Sequence, residues 1–189
     1  MWQYEKRLEY PVNIKQTDPK TAQYILSQYG GPDGEINASL RYLSQRYSIP
    51  YREVAGLLTD IATEEIAHFE MIATIVHQLT RDLTPEEIKA SNFGPYYIDH
   101  TLAVWPQAAG GVPQNACEFQ SKGDPITDLM EDMAAEQKAR TTYDNILRVV
   151  KDPDVVDPIR FLRAREVVHF QRFGEALSII HSKLDSNNY

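Results

Sequence analysis

Thr63-Glu64-Glu65-Ile66-Ala67-His68-Phe69-Glu70 and, 101 residues further on, Ala164-Arg165-Glu166-Val167-Val168-His169-Phe170-Gln171 decide the fold of this chain. Each stretch holds a Glu-x-x-His, formed by Glu65 with His68 and by Glu166 with His169. Around the first, Val54, Leu58, Ile61, Glu65, His68, Ile72, Ile75 and Leu79 alternate steps of four and three, the spacing of one core-facing helical stripe. Around the second, Ile159, Leu162, Glu166, His169, Phe173, Ala176 and Ile180 do the same, and Leu129, Met133, Glu136, Arg140, Tyr143, Leu147 and Val150 form a third such stripe. Thirty residues before each motif glutamate stands another, Glu35 and Glu136. The same offset superimposes Ala38 on Ala139, Tyr42 on Tyr143, Val54 on Val155 and Phe69 on Phe170, as an internally duplicated helix pair requires.

Helix signals extend this reading outward. Asp18-Pro19 opens a short helix that Gly30-Gly31 stops, and Pro32 reopens one. Ser48-Ile49-Pro50 precedes about 30 residues free of proline, a rod of roughly 45 Å at the helical rise. Thr84-Pro85-Glu86-Glu87 is a capping box before another short helix. Asp124-Pro125 starts a helix running to about Val150, and Asp157-Pro158 is read as the start of the last one, reaching about Lys183. Residues 92–123, broken by Gly94, Pro95, Pro106, Gly110, Gly111, Pro113 and Gly123, carry no helical period, and a connection of that length is usually a lid, an interface or a functional loop. The expected architecture is all-α, a ferritin-like four-helix bundle in one domain over 1–189. It has an extended N-terminal arm (1–17) lying on the body or on a partner, a helix pair (32–80), a long central crossover (81–123) and a second helix pair (124–184).

The 189 residues have 42% hydrophobic and 24% charged side chains, the proportions of a chain that folds rather than of a disordered one. A net charge of −8 without a basic stripe argues against a nucleic-acid partner, and the absence of any long apolar run argues against a membrane span. One cysteine, Cys117, allows no internal disulfide; with no secretory leader at Met1–Arg7, synthesis and retention inside the cell are expected.

Glutamates on apolar stripes need compensation, because an ionised group taken out of water costs several kcal/mol unless it is paired or binds metal. Arg140 is the one cation on those stripes. Two divalent ions balance four carboxylates, and a Glu-x-x-His places both side chains on one helix face within reach of one ion. A dinuclear site from Glu35, Glu65, His68, Glu136, Glu166 and His169 follows, with spacing that suits manganese or iron alike. A solitary Glu-x-x-His is usually just an exposed helix face; two of them centred on apolar stripes are not. Tyr42 and Tyr143, each seven residues past a candidate ligand, are either plain core or hydrogen-bond partners of the ligands. Glu64 and Glu70 fall off the stripe and read as solvated, His77 and His181 as surface or packing residues, and Met71, Met130 and Met133 as core filling. Cys117, with no base beside it, is a poor nucleophile.

Four separated blocks, Gly30-Gly31-Pro32-Asp33-Gly34-Glu35, Thr63 to Glu70, Ala135-Glu136-Gln137-Lys138-Ala139-Arg140 and Arg165 to Phe170, resemble the manganese (non-haem) catalase family in order and spacing. The short length and the N-terminus resemble its spore-coat branch, the CotJC-type proteins. The resemblance implies a bundle holding two manganese ions that cycle together between the divalent and trivalent states while hydrogen peroxide is disproportionated to water and dioxygen. It implies that Glu35 and His68 bind one ion, Glu136 and His169 the other, that Glu65 bridges them and that Glu166 serves as acid and base. It further implies a homo-oligomer, a hexamer in the family, and synthesis in the cytoplasm followed by deposition among other proteins of the spore coat. Family catalases run longer at the C-terminus, and some carry a charged residue where this chain has Ala135. A ferritin-like di-iron oxidase or store, and a structural coat protein whose metal only fixes the bundle, are the alternative functions.

Overall fold

The computed structural model describes residues 3–5 and 7–186, so Met1, Trp2 and Lys6 of the arm and residues 187–189 lie outside the described residues. Among the described residues seven α-helices follow one another: α1 (Pro19–Gly30), α2 (Glu35–Gln45), α3 (Arg52–Thr80), α4 (Pro85–Ala90), α5 (Gly94–His100), α6 (Pro125–Val149) and α7 (Pro153–Ser186). A 3₁₀ turn, Ala116–Phe119, lies between α5 and α6. α6 packs along α7, α2 and α1 pack in series along α3, and α3 meets α7 to close the bundle. No helix among the described residues is long and apolar enough to cross a membrane.

The arm lies on the body. Ile14 is fully buried, its N–H donates to Gln78 Oε1 at 2.7 Å, and Arg81 Nη2 and Gln78 Nε2 donate to the carbonyls of Ile14 and Val12. Tyr4 donates to Glu70, and Tyr10 stacks on Phe161, so the arm runs beside α3 and reaches α7.

Two expectations need correction. α7 begins at Pro153 rather than at Pro158, because Asp152 caps it: its Oδ1 accepts from Asp154 N–H and its carbonyl from Val155 and Val156. Val155 and Val156 are buried, so packing holds this first turn and Pro158 sits inside the helix. Within 92–123, the stretch Gly94–His100 is helical, with Pro95 in the first turn, where its missing N–H costs nothing.

Apolar side chains gather in two clusters, one around Met71, Ile75, Tyr143, Ile159 and Leu162, the other around Leu58, Ile61, Leu129, Phe173 and Ile180. At about 1.5–3 kcal/mol for each fully buried large aliphatic side chain, these clusters supply the main drive to fold. Residues 65–68 of α3 and 166–169 of α7 fall between them, so the polar centre is closed off above and below by hydrocarbon.

Candidate metal centre

α2 brings Glu35 in at its first residue, where the free amides of a helix start favour a carboxylate. The turn before it is tight: a Cβ on Gly34 would lie 2.7 Å from the carbonyl of Ser27. Asn37 Nδ2 donates to the Gly31 carbonyl at 2.8 Å and Gln114 Nε2 to Asn37 Oδ1 at 2.8 Å, so the crossover ties down this turn. α3 supplies Glu65 and His68, α6 Glu136, and α7 Glu166 and His169, all at mid-helix. These side chains come together in the interior, none more than 2% exposed.

Glu65 straddles the two imidazoles. Its Oε2 stands 2.8 Å from His68 Nδ1 and its Oε1 2.6 Å from His169 Nδ1. Each histidine has a second carboxylate from its own half of the chain: Glu35 Oε2 is 3.7 Å from His68 Nδ1, and Glu136 Oε2 is 3.5 Å from His169 Nδ1. Glu35, Glu65, His68 and Glu166 present ligand atoms within 4.8 Å of one another, as do Glu65, His68 and His169. The tyrosines cross between halves: Tyr143 donates to Glu35, and Tyr42 to Glu136. Glu65 Oε1, Glu136 Oε2, Glu166 Oε1 and His169 Nδ1 are buried without a hydrogen-bond partner. Buried carboxylate oxygens and imidazole nitrogens that converge on one point, several of them lacking a partner, are what ligands of a common ion present, and a set of carboxylates with two imidazoles suits divalent manganese or iron.

The electrostatics separate the glutamates. Burial pushes Glu35 up to about 8, helped by the charge of Glu65, and raises Glu136 for the same two reasons. Burial also holds Glu166 well above the usual carboxylate range, with Glu136, Glu35 and Glu65 adding repulsion. Glu65 is the exception: burial opposes its charge, yet His169 and His68 outweigh that and keep it below the ordinary range. Burial opposes protonation of the imidazoles too, but Glu65 and the surrounding carboxylates prevail, raising His68 well above its ordinary value and His169 to about 12.

Some neighbours escaped the sequence reading. Glu64 is only 18% exposed at its side chain and packs against both imidazoles, so it is not a solvated residue of the helix face. Arg165 donates to Glu64 Oε1, and Glu9 of the arm lies 3.5 Å from His68 Nε2. The signal for the first pair was in the chain: the 101-residue offset places Glu64 on Arg165, opposite charges at equivalent positions of two related halves. Asp132, fully buried one turn before Glu136, accepts from Gln45 Nε2 at 2.8 Å, and burial drives its carboxyl well up. Glu70 is half-buried under Tyr4, and Met130 is 55% exposed rather than core, whereas Met71 is buried. His77, Cys117 and His181 are exposed and stand apart from the cluster.

Comparison with known proteins bears on this cluster. The family model for manganese containing catalase matches residues 1–187. Protein CotJC of Bacillus subtilis is 53% identical over 185 residues, covering 98% of this chain and 97% of that protein. A probable manganese catalase of Clostridium acetobutylicum is 28% identical, covering 100% of this chain and 85% of that protein. Among solved structures, KatB, a manganese catalase from Anabaena, superimposes with a TM-score of 0.88 at 29% identity, over 96% of this chain and 81% of that one. A thioferritin from Bacteroides fragilis, at a TM-score of 0.60 and 18% identity, shares the fold.

Proposed function

The chain belongs to the manganese containing catalase family, and on that premise we propose that it converts two molecules of hydrogen peroxide into two of water and one of dioxygen at a dinuclear manganese site. The observation that carries the reading is the straddle of Glu65, whose two oxygens face one inward imidazole nitrogen each. Glu35 and His68 would hold one ion, Glu136 and His169 the other, with Glu65 bridging. Manganese bound there would supply the paired one-electron changes that let peroxide be both reduced and oxidised.

The protein's part is to fix charges and move protons. Tyr42 and Tyr143 hold Glu136 and Glu35 in place through their hydroxyls. Glu166 is set apart from its equivalent, Glu65, because burial and three neighbouring carboxylates favour its protonated form. In this reading its carboxyl gives a proton to the departing oxygen of one peroxide and takes one back from the next, the exchange that general acid–base catalysis requires. The two apolar clusters keep bulk water from that exchange.

A coat location, with synthesis in the cytoplasm, and assembly into a homo-oligomer with other coat proteins are part of the same proposal, supported by the likeness to CotJC. Metal analysis of protein grown with manganese and iron together, paired with oxygen evolution on adding peroxide, tests the reading. Two manganese per chain with dioxygen release is the expected result. An iron-filled site that releases none overturns it in favour of a ferritin-like oxidase, and a filled site with negligible turnover leaves a structural coat protein.

A further inference from the structure

The outward nitrogens of the two imidazoles share a neighbour. With Nδ1 of each ring turned toward the carboxylate cluster, Nε2 of each points away from it. Glu64 lies there, its Oε1 3.6 Å from His68 Nε2 and its Oε2 3.3 Å from His169 Nε2. Neither contact is a hydrogen bond as it stands, and both Nε2 atoms are buried without one. An imidazole that binds metal through Nδ1 must carry its proton on Nε2, and that N–H needs an acceptor, which commonly fixes the ring's tautomer and orientation. Glu64 can accept from both rings at once, one oxygen for each.

The geometry points to Glu64 as a positioning residue shared by both metal ligand imidazoles, latched by Arg165 and acting more heavily on His169 than on His68. This inference rests on the dinuclear reading above. The latch is the Arg165 Nε donor on Oε1, which leaves Oε2 as the oxygen facing His169. The asymmetry comes from the arm. Glu9 Oε2 stands 3.5 Å from His68 Nε2 and gives that ring a second carboxylate, whereas among the described residues Glu64 alone faces His169 Nε2. One side chain thus couples the two metal positions from behind, and it couples them unequally.

Glu64→Gln tests this. The amide oxygen will stay on Arg165 and His68, because Arg165 only donates, so the amide NH₂ is turned toward His169 and opposes its Nε2–H. Metal-free wild type and variant are titrated calorimetrically with manganese(II), and the electron paramagnetic resonance spectrum is followed through the titration. Wild type should bind two ions whose spectra are exchange-coupled. The variant should bind one ion with nearly unchanged affinity and the other about 10–100-fold more weakly, so that isolated-ion spectra persist at ratios where wild type is coupled. Glu64→Asp, which keeps a carboxylate, should regain most of the lost affinity, and metal-free Glu64→Gln should melt within a few degrees of metal-free wild type. Equal affinities to wild type at both positions, an equal loss at both, or no recovery with aspartate would overturn the inference. A wild type that fails to bind two ions would instead overturn the dinuclear reading itself.

Discussion

Residues 35–70 and 136–171 are two versions of one helix pair, and the centre they build is symmetric in its side chains but not in its charges. Glu35 and His68 face each other as Glu136 and His169 do, and each tyrosine crosses to hold the other half's glutamate. The symmetry fails at two adjacent positions. Glu64 in the first half is Arg165 in the second, and the two form an ion pair across the seam. Next to them, Glu65 lies between two imidazoles that hold its carboxyl below the ordinary range, while Glu166 lies buried among carboxylates that hold it well above that range. Under the proposed function, environment rather than residue type would divide ligand from proton carrier, as pairs of carboxyls with opposed surroundings do in other acid–base sites.

The largest effect should come from making the same substitution at both positions of that pair. Glu65→Gln is expected to abolish binding of the metal pair, while Glu166→Gln should retain both ions and lose about 10²–10⁴-fold in oxygen evolution. Metal analysis and an oxygen electrode on both variants read the difference. If both variants lose metal alike, the two glutamates are equivalent and the comparison breaks.

Metal removal should expose the charge difference as a dependence on pH. Glu35, Glu136 and Glu166 are raised, so in the metal-free protein they keep protons that the unfolded chain releases above the ordinary 4.5. A raised group favours the folded state below its unfolded value and loses that advantage as pH climbs through its folded value, which for Glu35 is about 8. The raised histidines act in the same direction from about 6.5 upward. Glu64 and Glu65 run the other way, but they are depressed and act only at acid pH below the ordinary carboxylate range. The metal-free melting temperature should therefore fall between about pH 5 and pH 8. The loaded protein, whose carboxylates are held ionised, should not follow, and the gap between them should widen with pH. Parallel melting curves across that range would count against the buried charges assigned to the centre.

A smaller effect is expected from the crossed tyrosines. Tyr42→Phe and Tyr143→Phe each leave a buried carboxylate short of one donor, at a cost of about 1–3 kcal/mol. In this size range that corresponds to a drop of several degrees in melting temperature. Because the bonds cross, Tyr42→Phe should weaken the ion held by Glu136, and Tyr143→Phe the ion held by Glu35. Weakening of the ion in each tyrosine's own half would mean that the halves do not interlock.

Most of the bundle, and the burial of these side chains at its middle, could be read from the chain because the hydrophobic pattern is periodic. The stripes through Glu65 and Glu166 fix which face is buried, and burial of a carboxylate implies its neutralisation. What escaped depends on geometry between segments. Glu64 lies one position off its stripe, yet it is covered because it pairs with Arg165 and lies beside Glu9 of the arm. Arg41 is almost fully buried on α2, where its Nη2 donates to the Pro32 carbonyl at 3.1 Å, a contact no spacing rule announces. Met130 fell outside the core because it lies beside Leu129 on α6, and only Leu129 faces inward.

The start of α7 gives the smallest effect and a direct test of how such signals compete. Asp152-Pro153 and Asp157-Pro158 are equally good starts by local rule, and burial of Val155 and Val156 selects the first. Asp152→Ala removes the side chain that accepts from Asp154 N–H and should cost about 1 kcal/mol, a shift of about 2–4 °C in melting temperature. Asp157, by then inside the helix and paired only with Arg160 at 3.5 Å among the described residues, should tolerate alanine within about 0.5 kcal/mol. Thermal unfolding of the two variants side by side decides the matter. A larger loss at Asp157 would mean that the helix truly begins there, as Asp157-Pro158 alone suggests, and that the turn before it contributes little.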